Sequence, residues 1–390
     1  MFMQLKPCLT HSAHSTSSGS ILNKIEGLTN RLKMIRLIYM NEAILAPRQK
    51  YILNLINQSE GLLREEIQNR IQDTYPSSKP TLVRDLNMLL KYDLIKFEGK
   101  ARATKYFPKV LNRLLRKFDI KRYFADDPDN RTRARKSFDF KIFEDLHDLF
   151  SQNEIEVLKK NSHSFKQQAT KLSPDLLKRE LERFIIELSW KSSKIEGNTY
   201  TLLETESLIK EQKEAVGKTK DEAIMILNHK TAFEEILKNK DGFKHISISQ
   251  ISQLHNILIK DLAVTSGIRK QAVGITGTTY RPLDNEHQIR EVFEKTTTII
   301  NKTKNPFEKA LIAQFMIAYI QPYADGNKRT ARMFTNAILL AHDLYPLSYR
   351  SVDEDGFKQA LILFYEQGSI CEIKKLFIEQ VIFANGTYFR

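Results

Sequence analysis

The sequence contains only two cysteines, Cys8 and Cys371, and a single tryptophan. Two thiols cannot build a disulfide framework or a four-cysteine zinc site, and such scarcity suits a reducing compartment. Long hydrophobic runs are missing as well. The longest nearly uncharged apolar stretch, Ala310 to Ile320, has 11 residues and is interrupted by Gln314. A bilayer-crossing helix needs roughly 20, so no membrane span and no membrane partner are expected. The N-terminus lacks the compact apolar core and small-residue cleavage site of a secretory signal. The expectation is a soluble cytoplasmic protein. What is present is apolar material in quantity: 41% of the 390 residues are hydrophobic, which excludes a wholly disordered chain. At about 100–200 residues per domain, the length suits two or three domains.

Charge is unevenly spread. Residues 1–140 hold 26 Lys and Arg against 14 Asp and Glu, whereas residues 141–390 hold 35 against 33. Almost all of the net +14 therefore lies in the first third. A basic head on a near-neutral body fits contact with a polyanion such as nucleic acid, and equally a solvated basic surface.

Residues 1–45 read as a disordered tail, with the low-complexity run from His11 to Ser20 at its centre. Met40 stands just before the first folded segment, so residues 1–39 also read as an extension from an upstream start codon. Over 46–110 the pattern is helix, helix, turn, helix, hairpin. Tyr51, Ile52, Leu55 and Ile56 repeat at helical spacing, and a second helix follows from about Arg64 to Tyr75. The turn Pro76–Pro80 offers serine caps to a third helix, Thr81 to Leu90. Alternation then predicts a ribbon around Glu98-Gly99-Lys100. This segment resembles a winged helix-turn-helix. The resemblance places Lys79, Thr81 and Arg84, with Asn87, on the groove-reading helix and Lys100, Arg102 and Lys105 on the wing. Winged helices also serve as protein–protein modules, so DNA and protein partners both stand. Residues 111–140 alternate basic and acidic clusters and read as a partly helical linker. From 141 to 390 nearly everything is helical by period, giving a mainly α chain.

The apolar helix at 310–320 runs into Gln321-Pro322-Tyr323-Ala324-Asp325-Gly326-Asn327-Lys328-Arg329-Thr330-Ala331-Arg332. Gly326 permits a tight turn, and the amides after it are the open donors of a helix N-terminus, which favour anions. Arg329 and Arg332, three apart, project to one side, and Asp325 supplies a carboxylate where a phosphate-bridging Mg²⁺ needs one. These residues suit a polyphosphate with its metal. They also fit a capped helix start with solvated charges.

The stretch resembles the Fic (filamentation induced by cAMP) signature, H-P-F-x-D/E-G-N-G-R-x-x-R. Ser192-Ser193-Lys194-Ile195-Glu196-Gly197 resembles the family's inhibitory motif. Residues Gly267 to Pro282, including Val273, Gly274, Ile275 and Tyr280, resemble its target-docking flap. The resemblance implies an all-α core over 141–390 with an inhibitory helix at about 182–197, a small β-hairpin flap at about 271–283 and a catalytic loop at 321–332. It implies binding of ATP or ADP with Mg²⁺, transfer of AMP to Ser, Thr or Tyr hydroxyls of a target protein, and room for a homodimer. By the same resemblance Asp325 positions the metal, Gly326 and Asn327 shape the anion nest, and Arg329 contacts phosphate. Arg332 meets the terminal phosphate or, when the site is closed, Glu196 within the Ser192–Gly197 motif. Two positions depart from the signature. Gln321 stands where the general-base histidine belongs, and a glutamine accepts no proton near neutral pH, a loss of about 10²–10⁴-fold. Lys328 replaces the second glycine and resembles the death-on-curing branch of phosphotransferases; it would neutralise phosphate or crowd it. The expected function is an impaired, Glu196-inhibited adenylyltransferase, against a nucleotide-sensing DNA-binding regulator or a phosphotransferase.

Overall fold

The computed structural model describes residues 45–389 except Gln58, Glu60, Asp93, Val110 and Leu111, and leaves out the side chain of Arg102. The expected tail at 1–44, with Met40, lies outside the described residues. The described residues divide into two compact units, one ending at Lys109 and the other following it.

In the first unit, α1 (Pro47–Asn57) buries Ile52, Leu53 and Ile56. Strand β1 (Leu62–Leu63) leads into α2 (Arg64–Ile71), whose first turn is tied by Glu66 accepting from the Leu63 amide at 2.7 Å. Helix α3 (Lys79–Lys91) starts where the serine turn predicts: Ser78 Oγ accepts from the Thr81 amide, and Pro80 sits in the first turn, where it forfeits no hydrogen bond. Its inner face carries Leu82, Leu86 and Leu89, together with a buried Asp85. That carboxylate is matched by Arg48 Nε at 2.6 Å and Gln49 Nε2 at 3.0 Å, which fastens α1 to α3. Strands β2 (Ile95–Glu98) and β3 (Lys105–Pro108) form the expected ribbon, and β1 adds to it in the order β1-β3-β2, all antiparallel.

In the second unit the predicted linker is not free chain. Within 112–140, Arg131 Nη1 lies 3.1 Å from Glu366 Oε1, Tyr123 OH donates to Glu366 Oε2 at 2.7 Å, and the Ile370 amide donates to the Leu114 carbonyl at 2.8 Å. Only α4 (Ile120–Tyr123) and short 3₁₀ turns are helical in this stretch. Helices α5 (Gln152–Lys160), α6 (Phe165–Lys171), α7 (Pro174–Ile195), α8 (Leu202–Glu211), α9 (Lys220–Asn239) and α10 (Ile248–Leu258) follow. Then come α11 (Glu286–Lys302), α12 (Pro306–Ile320), α13 (Asn327–Ala341), α14 (Glu354–Gln367) and α15 (Cys371–Thr387). As its composition requires, α12 lies at the centre: every residue from Phe307 to Ile320 except Glu308 is buried. No described helix is long and apolar enough to cross a membrane.

The hairpin expected at 271–283 is not formed. No strand ladder is present there; Arg269 supplies the tie instead. Its guanidinium donates to the carbonyls of Gln271 and Leu283, binding the loop's two ends through a side chain.

Gly61 has φ +110°, and a Cβ there would stand 2.3 Å from the Phe107 ring. Gly61→Ala should destabilise the first unit by about 2 kcal/mol or more, read as a lower denaturation midpoint for residues 45–109 by hydrogen exchange. An unchanged midpoint would contradict this packing.

Candidate functional site

Helix α12 ends at Gln321, which adopts the left-handed conformation (φ 50°, ψ 58°) while its amide still bonds the Ile317 carbonyl at 3.1 Å. The chain reverses over five residues and re-enters a helix at Asn327, behind Gly326 with φ 79°. A Cβ on Gly326 would press on Ile259 at 3.2 Å, so both the turn and the space call for glycine. A glycine cap has no side chain to satisfy the first-turn amides of α13, which leaves them as open donors at the positive end of the helix dipole.

Asn327 holds the reversal together from inside. Its Oδ1 accepts from the Tyr323 amide at 2.9 Å, and its Nδ2 donates to the Tyr323 carbonyl at 2.8 Å and to Gln321 Oε1 at 2.9 Å. Gln321 Nε2 donates in turn to the Ala318 carbonyl at 2.7 Å. Both ends of the Gln321 amide are thus occupied, one by α12 and the other by the first residue of α13. Two further residues complete the support. His255 Nε2 bonds the Asp325 carbonyl at 2.9 Å and its ring stacks on Tyr323 at 3.7 Å; Arg269 Nε donates to the Gln321 carbonyl at 2.7 Å.

The loop faces a cleft of about 550 Å³. Gln321, Asp325, Gly326, Asn327 and Lys328 line one side and Glu196 another. Val273, Gly274 and Ile275, with Thr276 and Gly277, line the cleft as well. Lys358, Leu361, Ile362 and Tyr365 contribute one face of α14. Tyr280 is not on this surface, contrary to its expected docking role. It is 1% exposed, stacks on Tyr319 at 4.9 Å and donates to the Tyr319 carbonyl, anchoring the loop from beneath.

The cations sit on the first turns of α13. Arg329 is buried; its Nη2 donates to Asp325 Oδ2 at 2.9 Å, and its Nη1 has no hydrogen-bond partner. A buried guanidinium nitrogen without a partner is a donor that an anionic ligand would satisfy. Arg332 is 1% exposed, and its partners come from α7 and its cap. Its Nη1 donates to Glu196 Oε1 at 2.8 Å, its Nε to Ser192 Oγ at 3.0 Å and its Nη2 to the Ser192 carbonyl at 2.8 Å. Glu196 caps α7, and Gly197, at φ 99°, turns the chain away. Burial alone would raise the Glu196 pKa, but Arg332 and Lys328 overrule it and hold the carboxyl at about 2. Behind Ser192 stands His229, whose Nε2 bonds Ser192 Oγ at 2.9 Å and whose Nδ1 bonds the Met225 carbonyl at 2.8 Å. Burial pushes this imidazole down to about 3, so it is neutral.

Among the described residues no cluster of three or more His, Cys, Asp or Glu could hold a metal by itself. Asp325 offers one carboxylate with a 67% exposed side chain, the supply that suits Mg²⁺ held chiefly by phosphate oxygens.

The depressed Glu196 and His229 values fix the acid limb of stability. Glu196 contributes fully above about pH 4.5 and loses its contribution as pH falls towards 2. His229, neutral when folded, costs stability as pH falls from about 6.5 towards 3. Glu196→Gln leaves the Arg332 guanidinium uncompensated and should cost about 2 kcal/mol at pH 7. In urea titrations that deficit should stay constant from pH 8 to 5 and close below pH 4. A deficit that grows on acidification would contradict the ion pair.

Comparison with known proteins bears on the second unit. Residues 245–339 match the model of the Fic/DOC family. The protein adenylyltransferase Fic of Nematostella vectensis is 26% identical over 199 residues, covering 47% of this chain and 44% of that relative. The Drosophila melanogaster protein adenylyltransferase Fic is 28% identical over 149 residues, covering 37% and 30%. This chain therefore matches less than half the length of either relative. Among solved structures, a Fic domain containing signaling protein from Bacteroides thetaiotaomicron superposes with a TM-score of 0.51 at 19% identity, over 60% of this chain and 94% of that one. A Caenorhabditis elegans Fic-1 fragment gives 0.51 at 18% identity, over 60% and 72%. These likenesses establish a Fic-like, mainly helical fold.

Proposed function

We propose that the cleft binds ATP with Mg²⁺ and that the protein is a Fic-type adenylyltransferase of low intrinsic rate, closed by Glu196. The observation that carries this reading is the buried Arg332, whose three nitrogens are all engaged by Ser192 and Glu196. A guanidinium at the N-terminal end of an uncapped helix suits a phosphate, and an acidic side chain occupies it instead. The residues fit the ligand: the open amides after Gly326 and the unpartnered Arg329 Nη1 would donate to phosphate oxygens, and Asp325 would take the metal. Bound Mg²⁺ would supply charge neutralisation at the phosphates. Val273, Gly274 and Ile275 offer backbone to a target protein's segment at the cleft rim.

Transfer to a hydroxyl needs a proton acceptor, and Gln321 cannot be one. Its amide is spent on Ala318 and Asn327, which keeps the loop shape a histidine would need. Incubation with ATP labelled at the α- or the γ-phosphate tests the reading. Glu196→Gly should gain α-label, and Gln321→His in that background should raise incorporation by about 10²-fold. Label from the γ-phosphate alone would make the protein a phosphotransferase, the reading that Lys328 favours. No label in the double variant, with ATP bound, would leave a nucleotide sensor.

A second reading concerns residues 45–109. The order helix, strand, helix, helix, ribbon supports a winged helix-turn-helix, and Lys79, Arg84 and Asn87 on α3 are exposed, as are Lys100 and Lys105 on the ribbon. These residues, with Thr81 and Arg102, suit duplex DNA. Affinity should fall steeply with salt, and Lys100→Ala should weaken binding uniformly across sequences while Arg84→Ala does so selectively. The absence of a mobility shift at low salt would favour a protein partner.

A further inference from the structure

Helix α13 buries every residue except Lys328. The Lys328 side chain is 28% exposed and lines the cleft. Its ammonium lies 3.4 Å from Glu196 Oε2, while Glu196 Oε1 faces Arg332 Nη1 at 2.8 Å. The two oxygens of one carboxylate therefore meet two different cations. Those cations stand four residues apart on one helix, a spacing at which like charges repel. An anion between them is what makes the arrangement favourable.

The two cations are not equivalent. Arg332 also bonds the Ser192 hydroxyl and carbonyl, so it keeps partners when Glu196 withdraws. Among the described residues Glu196 is the one carboxylate paired with Lys328. Lysine is a point charge on a flexible stem, suited to following an anion from one position to another.

The geometry points to Lys328 as a cation that exchanges Glu196 for the terminal phosphate of a nucleoside triphosphate. It helps close the cleft in one state and selects triphosphate over diphosphate in the other. This rests on the nucleotide reading above and adds a second latch to it. A terminal phosphate, like the carboxylate, carries oxygens that can bridge two cations. A diphosphate ends one phosphate short of Glu196's place.

The test is a double-variant cycle by calorimetry with Mg²⁺ and either ATP or ADP, using wild type, Lys328→Ala, Glu196→Gln and the combination. In the Glu196→Gln background, Lys328→Ala should lower ATP affinity about tenfold and ADP affinity less than about threefold. In the wild-type background the same substitution should change ATP affinity by less than about threefold, because the weakened latch offsets the lost phosphate contact. An equal loss in both backgrounds, or an equal loss for ATP and ADP, would overturn the exchange. Lys328→Gln and Glu196→Gly repeat the cycle if either first variant unfolds. Failure of every variant to bind ATP would instead refute the nucleotide reading. Binding by Glu196→Gln that ignores Lys328 would refute the exchange alone.

Discussion

The second unit is organised around one desolvated guanidinium. Arg332 is 1% exposed, and a charge taken so completely from water is tolerable only where acceptors surround it. Ser192 and Glu196 supply them from α7 and its cap, and His229 orients the Ser192 hydroxyl from α9. One cation thus welds three helices. The direction of each bond follows: His229, protonated at Nδ1 towards the Met225 carbonyl, accepts from Ser192, whose oxygen then accepts from Arg332.

That arrangement sets structure against chemistry. Arg332, which the proposed reading assigns to a phosphate, is also the residue that holds Glu196 and Ser192 in the closed fold. On the proposed nucleotide reading, a bound polyphosphate would replace a carboxylate with a more highly charged anion, so the cation would remain compensated. The loop before α13 is built differently. Asn327, Arg269 and His255 hold its backbone from behind, and its open amides face forward. Such a loop keeps its shape whether or not the cleft is filled.

Much of this was legible in the chain. The apolar run at 310–320 announced a central helix, and Gly326 announced the tight turn into the helix after it. The serine turn before α3 gave its start to within two residues. Other features were not legible because they depend on distant partners. His229 and His255 look like ordinary helical histidines until folding brings one against Ser192 and the other beneath Asp325. Tyr280 was expected at the docking surface from the resemblance alone, whereas Tyr319 and Tyr365 offer it a stacked slot. The hairpin at 271–283 was misread for a related reason. It was expected from the resemblance alone, and the Arg269 guanidinium closes the loop where a ladder was expected. The basic segment 112–140 looked like a linker because its clusters of charge hid the few residues that anchor it.

Glu366 shows where the working boundary of the second unit lies. It is fully buried, and it receives Arg131 and Tyr123 from that basic segment and the Thr278 hydroxyl from the loop over the cleft. Arg131 also reaches the Gly277 carbonyl at 2.8 Å. A fragment cut at residue 141, where the helical pattern begins, would strip the carboxylate of its cation and leave a bare negative charge in the interior. It would also release the loop that lines the cleft. The cleft-bearing unit of this chain therefore depends on the thirty residues that precede its first helices, and it starts near residue 112, well before its sequence looks helical.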